Sequence, residues 1–355
     1  MTLTVLSVAY PLAPVGQNAV GGAEQMLSHL DHALVRSGHR SLVVASENSE
    51  VAGTLIGTPP QVGPLDDGVR ERAWARHREA IGDALQRFPV DLVHIHGHDF
   101  HAYLPPPGVP TLVTLHIPHF WYAAGALTPI RPRTWLHGVS WSQHRDLPQG
   151  PWLLPPIDNG VPVAALRARH AKRPFALMLT RICPEKGVHL AIEAAKKAGM
   201  ALVIAGSVYE YPEHRRYFHE EVEPRLDTHR RFIGPVGFRR KRRLLSAAQC
   251  VLVPSLVPET SSLVAREALA CGTPVVAFRS GALPEAIEHG VTGFLVDDTD
   301  EMAQAMTDSA RLDPERCRSV ARERFSLERM AERYFARYER LAAARSPELV
   351  AGASA

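Results

Sequence analysis

The sequence lacks the features that would assign it to several large classes of protein. It has only four cysteines, which are far apart and form no CxxC pair: Cys183, Cys250, Cys271 and Cys317. This pattern predicts reduced thiols in a cytoplasmic protein rather than a disulfide framework. No run of about 20 apolar residues is present, so we expect no transmembrane helix. The segment 1–10 is typical of a short apolar strand and lacks the basic start of a secretory signal.

The excess of positive over negative charge is also small. The net charge is +3, which suits anionic ligands but is too weak to predict nucleic-acid binding. The one strong charge run is Arg239–Arg243. It is typical of a solvated helix face, and it could also make a weak contact with an anionic membrane surface or an acidic acceptor. No G-x-G-x-x-G follows the first predicted strand, which argues against a nicotinamide dehydrogenase.

The chain is long enough for two α/β domains. It has 355 residues, of which 45% are hydrophobic, and this supplies apolar material for two cores. Four prolines and an Asn-Gly pair between 151 and 162 indicate the connection between domains. We therefore predict a first domain over 1–160 and a second over 161–325. A final amphipathic helix and a frayed tail are expected over 326–355.

The first domain opens with a predicted βαβ unit. An apolar strand over 3–9 is followed by Gly21 and Gly22, an amphipathic helix, and a second strand over 42–45. Two glycines before a helix let a ligand approach the backbone closely, although a plain turn has the same pattern. The segment 48–68 is rich in Gly, Pro and Asp and is predicted to be irregular.

Histidines follow the later strands of this domain. His94, His96 and His98 alternate along a strand, so they could share a face as metal ligands or simply mark the rim of a cleft. His116 directly follows a predicted strand over 109–115, a position suited to ligand contact. The next loop contains His119, Trp121 and Tyr122. Aromatic rings suit sugar faces, so this loop is a candidate for the acceptor pocket.

Two cations mark the start of the second domain. Arg181 and Lys186 bracket the loop between a strand over 175–179 and the next helix. Fixed cations at such a loop can hold a diphosphate, and Arg can do so with two hydrogen bonds. A solvated loop would have the same composition.

The segment 254–277 contains two carboxylates around a helix start. Glu259 lies in the loop before a helix predicted from Leu263, and Glu267 lies eight positions later inside it. Residues 260–262 are N-cap types. Helix N-termini attract phosphates, and a carboxylate can accept hydrogen bonds from two adjacent hydroxyls. The spacing therefore suits a nucleotide-sugar site, and it equally suits a solvated Glu beside a cap.

Taken together, these motifs resemble those of the family 4 retaining glycosyltransferases, which have the GT-B fold. The resemblance implies an α/β protein of two Rossmann-like parallel-sheet domains facing a central cleft. It implies that Glu259 contacts the donor sugar and Glu267 the ribose. The family often has Gly-Phe-Gly after the first Glu, whereas this chain has Thr-Ser-Ser at 260–262. Because of that departure, the motif does not identify the donor sugar.

The resemblance extends to the remaining motifs. It implies that Gly21 and Gly22 meet the donor phosphates and that His116 approaches the donor sugar. It implies that Arg181 and Lys186 stabilise the leaving diphosphate. Further donor contacts are implied for the backbone of Val236 at the base, and for amides near the helix start at Ser262 and Leu263.

The expected function is transfer of a sugar from a nucleotide-diphosphate sugar to an acceptor hydroxyl with retention of configuration. The family pattern implies no metal and no other cofactor. The acceptor could be a glycan, a lipid or a small metabolite. Alternatives on the same residues are a sugar phosphorylase or epimerase of the same fold, and a non-catalytic nucleotide-sugar-binding or membrane-docking protein. Location in the cytoplasm, with possible peripheral attachment to a membrane, is expected.

Overall fold

The computed structural model describes residues 2–17, 19, 21–61, 63, 66–168 and 170–344. Within these residues the chain alternates strands and helices. The strands are β1 (Thr4–Val8), β2 (Arg40–Ser46), β3 (Thr54–Thr58), β4 (Leu92–Ile95), β5 (Thr111–Thr114), β6 (Thr134–His137), β7 (Leu153–Leu154), β8 (Arg173–Leu179), β9 (Ala201–Ala205), β10 (Arg230–Phe232), β11 (Ala248–Val253), β12 (Val275–Phe278) and β13 (Gly293–Val296).

The helices fill the connections between parallel strands. They are α1 (Gly22–Arg36), α2 (Asp67–Arg87), α3 (Trp141–Arg145), α4 (Val163–Leu166), α5 (Val188–Lys197), α6 (Pro212–Tyr217), α7 (Phe238–Ala247), α8 (Leu263–Ala270), α9 (Leu283–Ala286), α10 (Thr299–Asp308), α11 (Pro314–Arg324) and α12 (Leu327–Ala343). In the described part of the chain, no helix is both long and apolar enough to cross a membrane.

The chain divides into two compact units. The first unit comprises residues up to Asn159 together with those from Glu328 onward, and the second unit is Gly160–Leu327. The first has a seven-stranded sheet in the order β3-β2-β1-β4-β5-β6-β7, and the second a six-stranded sheet in the order β10-β9-β8-β11-β12-β13. Every strand pair is parallel. Two units with parallel sheets covered by helices give the GT-B fold that the sequence predicted.

Both faces of the second sheet are covered by apolar clusters. Successive side chains of a strand point to opposite faces, so neighbouring residues belong to different clusters. In β8, Leu177 belongs to one apolar cluster, whereas Met178 belongs to another. The neighbouring β11 follows the same alternation, with Val251 in the first cluster and Leu252 in the second. Leu177 is in register with Val251, so residues of like orientation lie side by side across the sheet.

The edges of the first sheet differ from the prediction. The segment 48–68 was predicted to be irregular, but Thr54–Thr58 forms the edge strand β3, in parallel register with β2. The prediction was wrong because Leu55 and Ile56 each pack against a separate apolar cluster, and neighbouring glycines and prolines hide so short a strand. Leu153–Leu154, within the predicted connection, forms the edge strand β7.

The last helix, α12, packs on the first unit. Its buried residues, which recur every three or four positions and thus share one face, are Met330, Ala331, Tyr334, Tyr338 and Leu341. Tyr338 Oη lies 2.7 Å from His94 Nδ1. Arg333 donates to the carbonyl oxygen of Pro156 at 2.7 Å. The chain therefore returns to the first sheet after completing the second unit.

Candidate active site

In the second unit, Lys186 and Glu259 form a close ion pair at the carboxyl edge of the sheet. Lys186 Nζ lies 2.6 Å from Glu259 Oε1, and the Ser255 hydroxyl donates to the same oxygen. Lys186 ends the loop after β8, and Ser255 and Glu259 belong to the loop after β11. Because β8 and β11 are neighbours in a parallel sheet, their following loops meet at one edge.

The environment of Glu259 keeps its carboxylate ionised. Burial opposes ionisation, since the Glu259 and Lys186 side chains are only 12% and 21% exposed. The charge of Lys186, hydrogen bonds from Lys186 and Ser255, and the charge of Arg181 outweigh this effect and hold the pKa of Glu259 below its usual value. Glu259 is therefore an anionic hydrogen-bond acceptor at neutral pH.

Glycines allow these loops to approach each other. Gly187 has φ +63°, and a Cβ there would lie 2.2 Å from the carbonyl oxygen of Pro254. Gly281 has φ +56°, and a Cβ there would lie 2.3 Å from the carbonyl oxygen of Glu259. Both positions therefore require glycine, for conformation and for space. The amide of Ala282 also donates to that Glu259 oxygen, at 2.7 Å, which fixes the Glu259 backbone.

Arg181 lies at the exposed end of the same β8 loop. Its guanidinium carbon is 5.6 Å from the centre of the Tyr209 ring, within the range of a cation–π contact. The side chain is otherwise exposed to solvent, so it is available to an anionic ligand. The sequence prediction that Arg181 and Lys186 bracket one loop holds in the structure, and this loop also brings Arg181 into the electrostatic environment of Glu259.

Glu267 has a cationic partner of its own. It lies inside α8 with a side chain only 6% exposed, and Lys241 Nζ is 2.6 Å from its Oε1. Lys241 belongs to the basic run Arg239–Arg243, which begins at the first turn of α7. The run is thus divided. Lys241 neutralises a buried carboxylate, whereas Arg240 and Arg243 help to line a separate cavity of about 340 Å³.

The start of α8 differs from the predicted cap. Thr, Ser and Ser at 260–262 were expected to cap the helix by side-chain acceptors, but Ser262 makes no such hydrogen bond. Instead Ser262 has φ +52°, a left-handed conformation that is uncommon for a residue other than glycine. Leu263 is the first helical residue, as predicted. Strained backbone of this kind persists where surrounding structure imposes it, and it clusters at binding sites.

The Val236 loop lies after β10. Val236 is half-buried against the apolar cluster that also contains Leu177, and Gly237 is the N-cap residue of α7. Backbone hydrogen bonds join this edge together: Gly206 donates to Gly234 at 3.1 Å, and Ile182 donates to Ser207 at 2.9 Å. The loops after β8, β9 and β10 are therefore linked to one another through their backbones.

In the first unit, the predicted glycine loop begins α1. Gly21 is the N-cap residue, and Gly22 is the first helical residue. A Cβ on Gly21 would lie 1.8 Å from Glu24 Oε2, so the Glu24 carboxylate lies directly against Gly21. Burial raises the pKa of Glu24, whereas its own backbone N–H partly opposes that rise. A carboxyl group thus already lies at the helix N-terminus, where the sequence predicted phosphate binding.

The histidines of the first unit form a network that differs from the predicted strand of ligands. His98 is exposed and lies against Tyr10, with ring centroids 4.6 Å apart, so it does not join His94 and His96. His116 takes that place, with Nε2 3.0 Å from His96 Nδ1. The prediction of a shared face failed at His98 because the strand ends at Ile95 and the chain turns.

The hydrogen bonds assign the tautomers of His137 and His94 in this network. His137 Nδ1 is 2.9 Å from the Gly138 carbonyl oxygen and must donate, so its Nε2 accepts from the Thr114 hydroxyl. Thr114 Oγ1 then accepts from His94 Nε2 at 2.7 Å, which leaves His94 Nδ1 as an acceptor. The Tyr338 hydroxyl donates to His94 Nδ1 at 2.7 Å. His96 Nε2 lies 3.2 Å from the same His94 atom, and His96 Nδ1 lies 3.0 Å from His116 Nε2.

All four rings of the network are neutral near pH 7. Burial lowers the pKa of His116 to about 4, and burial together with neighbouring histidines lowers the pKa of His94 and His96 well below the usual value. For His137, burial and the charge of Arg337 have the same effect. His116 is thus a neutral ring near pH 7, and not a cation.

The aromatic loop after His116 is only partly available to a ligand. Phe120 and Trp121 are 52% and 44% exposed, whereas Tyr122 is buried, with its hydroxyl 3.4 Å from the amide of Ile117. Tyr122 therefore supports the loop from inside. Trp121, and Phe120 which the sequence reasoning passed over, offer the aromatic surface.

Sequence reasoning missed several partners of the predicted site residues: His96 as the partner of His116, Tyr209, Lys241 and Ser255. Lys241 was hidden because it lies in a uniform basic run. Helical periodicity gives no signal that separates one member of such a run from the next.

Two family models match the chain, one for each unit. The model described as "Glycosyl transferases group 1" matches residues 166–324. The model described as "Glycosyltransferase Family 4" matches residues 20–146. The matched ranges contain all the site residues predicted above in the second and first units, respectively.

Curated relatives agree with these matches. Glycogen synthase of Mycobacterium tuberculosis (strain ATCC 25618 / H37Rv) is 28% identical over 348 residues, covering 82% of this chain and 81% of that protein. D-inositol 3-phosphate glycosyltransferase of Saccharomonospora viridis is 43% identical over 104 residues, covering 29% of this chain and 23% of that protein. The second match is local.

Solved structures share the architecture. AviGT4, described as a glycosyltransferase involved in avilamycin A biosynthesis, superposes with a TM-score of 0.72 at 26% identity, covering 96% of this chain and 99% of that one. Sucrose-phosphate synthase from Thermosynechococcus elongatus has a TM-score of 0.76 at 20% identity, covering 96% and 99%. The latter likeness concerns the fold alone.

Proposed function

Because this chain belongs to the group 1, family 4 glycosyltransferases, we propose that it is a retaining enzyme that uses a nucleotide-diphosphate sugar and an acceptor hydroxyl. One observation carries the proposal: Lys186, Arg181 and an ionised Glu259 converge at the carboxyl edge of the second sheet. Ligands of open parallel sheets bind at this edge. Two cations and an anionic acceptor suit a diphosphate joined to a polyhydroxylated sugar.

The cations would act on the leaving group. Negative charge builds on the diphosphate as its bond to the sugar breaks, and Arg181 and Lys186 would stabilise that charge more in the transition state than in the ground state. This assignment needs no metal ion in the chemistry, because the protein supplies the positive charge. Arg181 is exposed and can meet the diphosphate directly.

Glu259 suits sugar binding better than covalent catalysis. Its Oε1 already accepts from Lys186 and Ser255, and its lowered pKa makes it a weaker nucleophile. We therefore assign Glu259 to the donor sugar hydroxyls. The departing phosphate oxygen would take the acceptor proton on the same face of the sugar, which retains the configuration without a covalent enzyme intermediate.

The other donor contacts follow the family pattern. Glu267, held by Lys241, would bind the ribose hydroxyls, and the backbone of Val236 would contact the base. The amides at Ser262 and Leu263 would meet the phosphates, because no side chain of Ser262 caps that helix start. In the first unit, Gly21 and Gly22 would contact phosphate, and neutral His116 would contact the donor sugar.

The acceptor side is proposed from the first unit. The exposed rings of Phe120 and Trp121 support an acceptor with an apolar or sugar face. The exposed arginines of the Arg239–Arg243 run would allow a weak contact with an anionic surface, as a secondary feature. The proposal covers glycan, lipid and small-metabolite acceptors alike, and the acceptor must be found by experiment.

A thermal-shift screen tests the donor proposal. The full chain would be heated with UDP, GDP, ADP, TDP and their sugar conjugates. A ligand at about 100 times its dissociation constant adds about 2.7 kcal/mol of stability. We expect a response selective for one nucleotide, which is lost in Glu267→Gln and kept in the control Arg239→Gln, whose side chain is exposed.

The stereochemical outcome needs a second measurement. With the donor identified, the anomeric configuration of the transferred sugar can be compared with that of the donor by proton NMR. Inversion would refute the retaining mechanism while leaving transfer intact. Absence of any nucleotide response, combined with phosphate-dependent cleavage of a disaccharide, would favour a sugar phosphorylase instead.

A further inference from the structure

A second group of ligating side chains lies beside the Arg181–Lys186 loop. Cys183, Glu185 and His214 each offer one ligand atom, and these three atoms lie within 4.8 Å of one another. Cys183 and Glu185 belong to the loop itself, where Cys183 precedes the 3-10 turn Pro184–Lys186. His214 belongs to α6. The group thus joins two segments of the second unit that are distant in sequence.

Two of these side chains have buried polar atoms without hydrogen-bond partners in the described structure. They are Oε2 of Glu185 and Nδ1 of His214. Cys183 and His214 are only 1% and 7% exposed. Buried polar atoms are satisfied in the great majority of cases, and an unsatisfied one calls for an explanation such as a bound ion. Here the two unsatisfied atoms lie in the same small group.

The donor set indicates the kind of ion. Sulfur, imidazole nitrogen and carboxylate oxygen together suit Zn²⁺ and similar borderline-soft divalent ions, whereas Mg²⁺ and Ca²⁺ prefer oxygen ligands alone. A thiolate and a carboxylate would also balance the two positive charges of the ion. That balance matters because Arg181 and Lys186 are close by.

We propose that Cys183, Glu185 and His214 form a site for Zn²⁺ or a similar borderline-soft divalent ion. Metal–ligand distances of about 2.0–2.3 Å place tetrahedral ligand atoms about 3.3–3.6 Å apart. The present group, whose ligand atoms lie within 4.8 Å of one another, needs a contraction of up to about 1.5 Å to reach that geometry. Three protein ligands leave a fourth position for water. Binding replaces the Cys183 thiol proton, which is released to solvent.

The site has a structural consequence for the proposed active site, and this part of the inference rests on the proposed function. The ligands Cys183 and Glu185 lie between the two cations Arg181 and Lys186 in sequence. Tyr209 packs near His214, with ring centroids 6.1 Å apart, and also lies beneath the Arg181 guanidinium. A bound ion would hold the loop and α6 together. Its ligands are therefore positioning residues, separate from the chemistry.

Cobalt absorption tests the site independently of any activity. The full chain would be stripped with a chelator and titrated with Co²⁺. We expect one ion per chain, a thiolate-to-cobalt charge-transfer band, and displacement of the cobalt by Zn²⁺. Cys183→Ala should abolish the band and weaken Zn²⁺ binding by at least about 100-fold, since it removes a direct ligand.

Cys250→Ala is the matched control. Cys250 is also a free, buried thiol, but it lies on β11 outside the ligand group, so its variant should keep the band. If Cys183→Ala does not fold, Cys183→Ser preserves the side-chain shape and should still lose the band. A wild-type chain without a thiolate band, or a band that survives in folded Cys183→Ala or Cys183→Ser, overturns the proposal. The cobalt result and the nucleotide screen can fail separately, so the two proposals are distinguishable.

Discussion

Replacing Lys186 by methionine should damage both stability and turnover, for two separable reasons. The pair with Glu259 has a 2.6 Å separation, and its side chains are 21% and 12% exposed. Exposed pairs contribute about 0.2–1 kcal/mol, whereas breaking a fully buried pair costs about 3–5 kcal/mol. An intermediate loss of about 2 kcal/mol is therefore expected for Lys186→Met, which lowers Tm by roughly 4–8 °C for a unit of this size.

The pH dependence of that loss has a definite sign. Glu259 has a pKa below its usual value of 4.5 in the fold, so its pairing contributes stability above pH 4.5. This contribution disappears as pH falls through the folded-state pKa, because the carboxylate then becomes protonated. The stability gap between wild type and Lys186→Met should thus be widest near neutral pH and should narrow below pH 4.5. Urea unfolding of both proteins at pH 7 and at pH 4 measures it.

A double variant separates stability from catalysis. Lys186→Met with Glu259→Gln removes both charges, so no unpaired carboxylate remains in the partly buried site, and most of the lost stability should return. Turnover should not return. Losing one group that stabilises transition-state charge lowers kcat by about 10²–10³. The reasoning is refuted if Lys186→Met keeps full turnover, or if the double variant is no more stable than the single one.

Two other predictions concern a glycine that contacts the Glu259 backbone and the buried histidines of the first unit. Gly281→Ala should displace the Glu259 backbone, because the new Cβ would lie 2.3 Å from its carbonyl oxygen, and kcat/KM should fall by about 10- to 100-fold. The control Gly199→Ala has a similar φ of +60° with nothing within 4 Å, so it should cost about 1–2 kcal/mol and leave kcat/KM unchanged. The first unit should lose stability in acid, because burial lowers the pKa of His116 and of His77, a buried residue of α2, to about 4 while the unfolded chain titrates near 6.5. Each should remove about 1.4 kcal/mol per pH unit between pH 6.5 and 4, and equal unfolding free energies at pH 7.5 and pH 5 would contradict this.

Local patterns were sufficient for most of the helices and strands. The apolar run 251–253 predicts a buried strand, and the amphipathic pattern of α12 predicts a helix. Burial on both faces of a parallel sheet, or on one face of a helix, requires apolar residues at recognisable positions in the sequence. Thr54–Thr58 shows where this fails. Five residues between glycines and prolines carry too little periodicity, and only pairing with β2 and contact with two apolar clusters make them a strand.

In the candidate site, too, some residues were predictable from the sequence and others were not. Arg181, Lys186, Glu259 and Glu267 were predictable because their residue types and spacing resemble a family motif. Their partners were not, because an ion pair depends on which loops a parallel sheet brings together. Lys186 and Glu259 are 73 positions apart, and Lys241 and Glu267 are 26 apart. No local rule selects Lys241 from five consecutive basic residues.

The sequence by itself determined the alternation of strands and helices, the division of the material into two α/β units, and the residue types available for phosphate and hydroxyl binding. These depend on interactions within a few turns or on the hydrophobicity of short runs. Only the tertiary structure decided the protonation states of those residues and their ion-pair and hydrogen-bond partners. Glu259 is ionised because Lys186 and Ser255 reach it, and His116 is neutral because the fold buries it beside His96. Charge state is set by burial and by partners distant in sequence, and both arise only when the chain has folded.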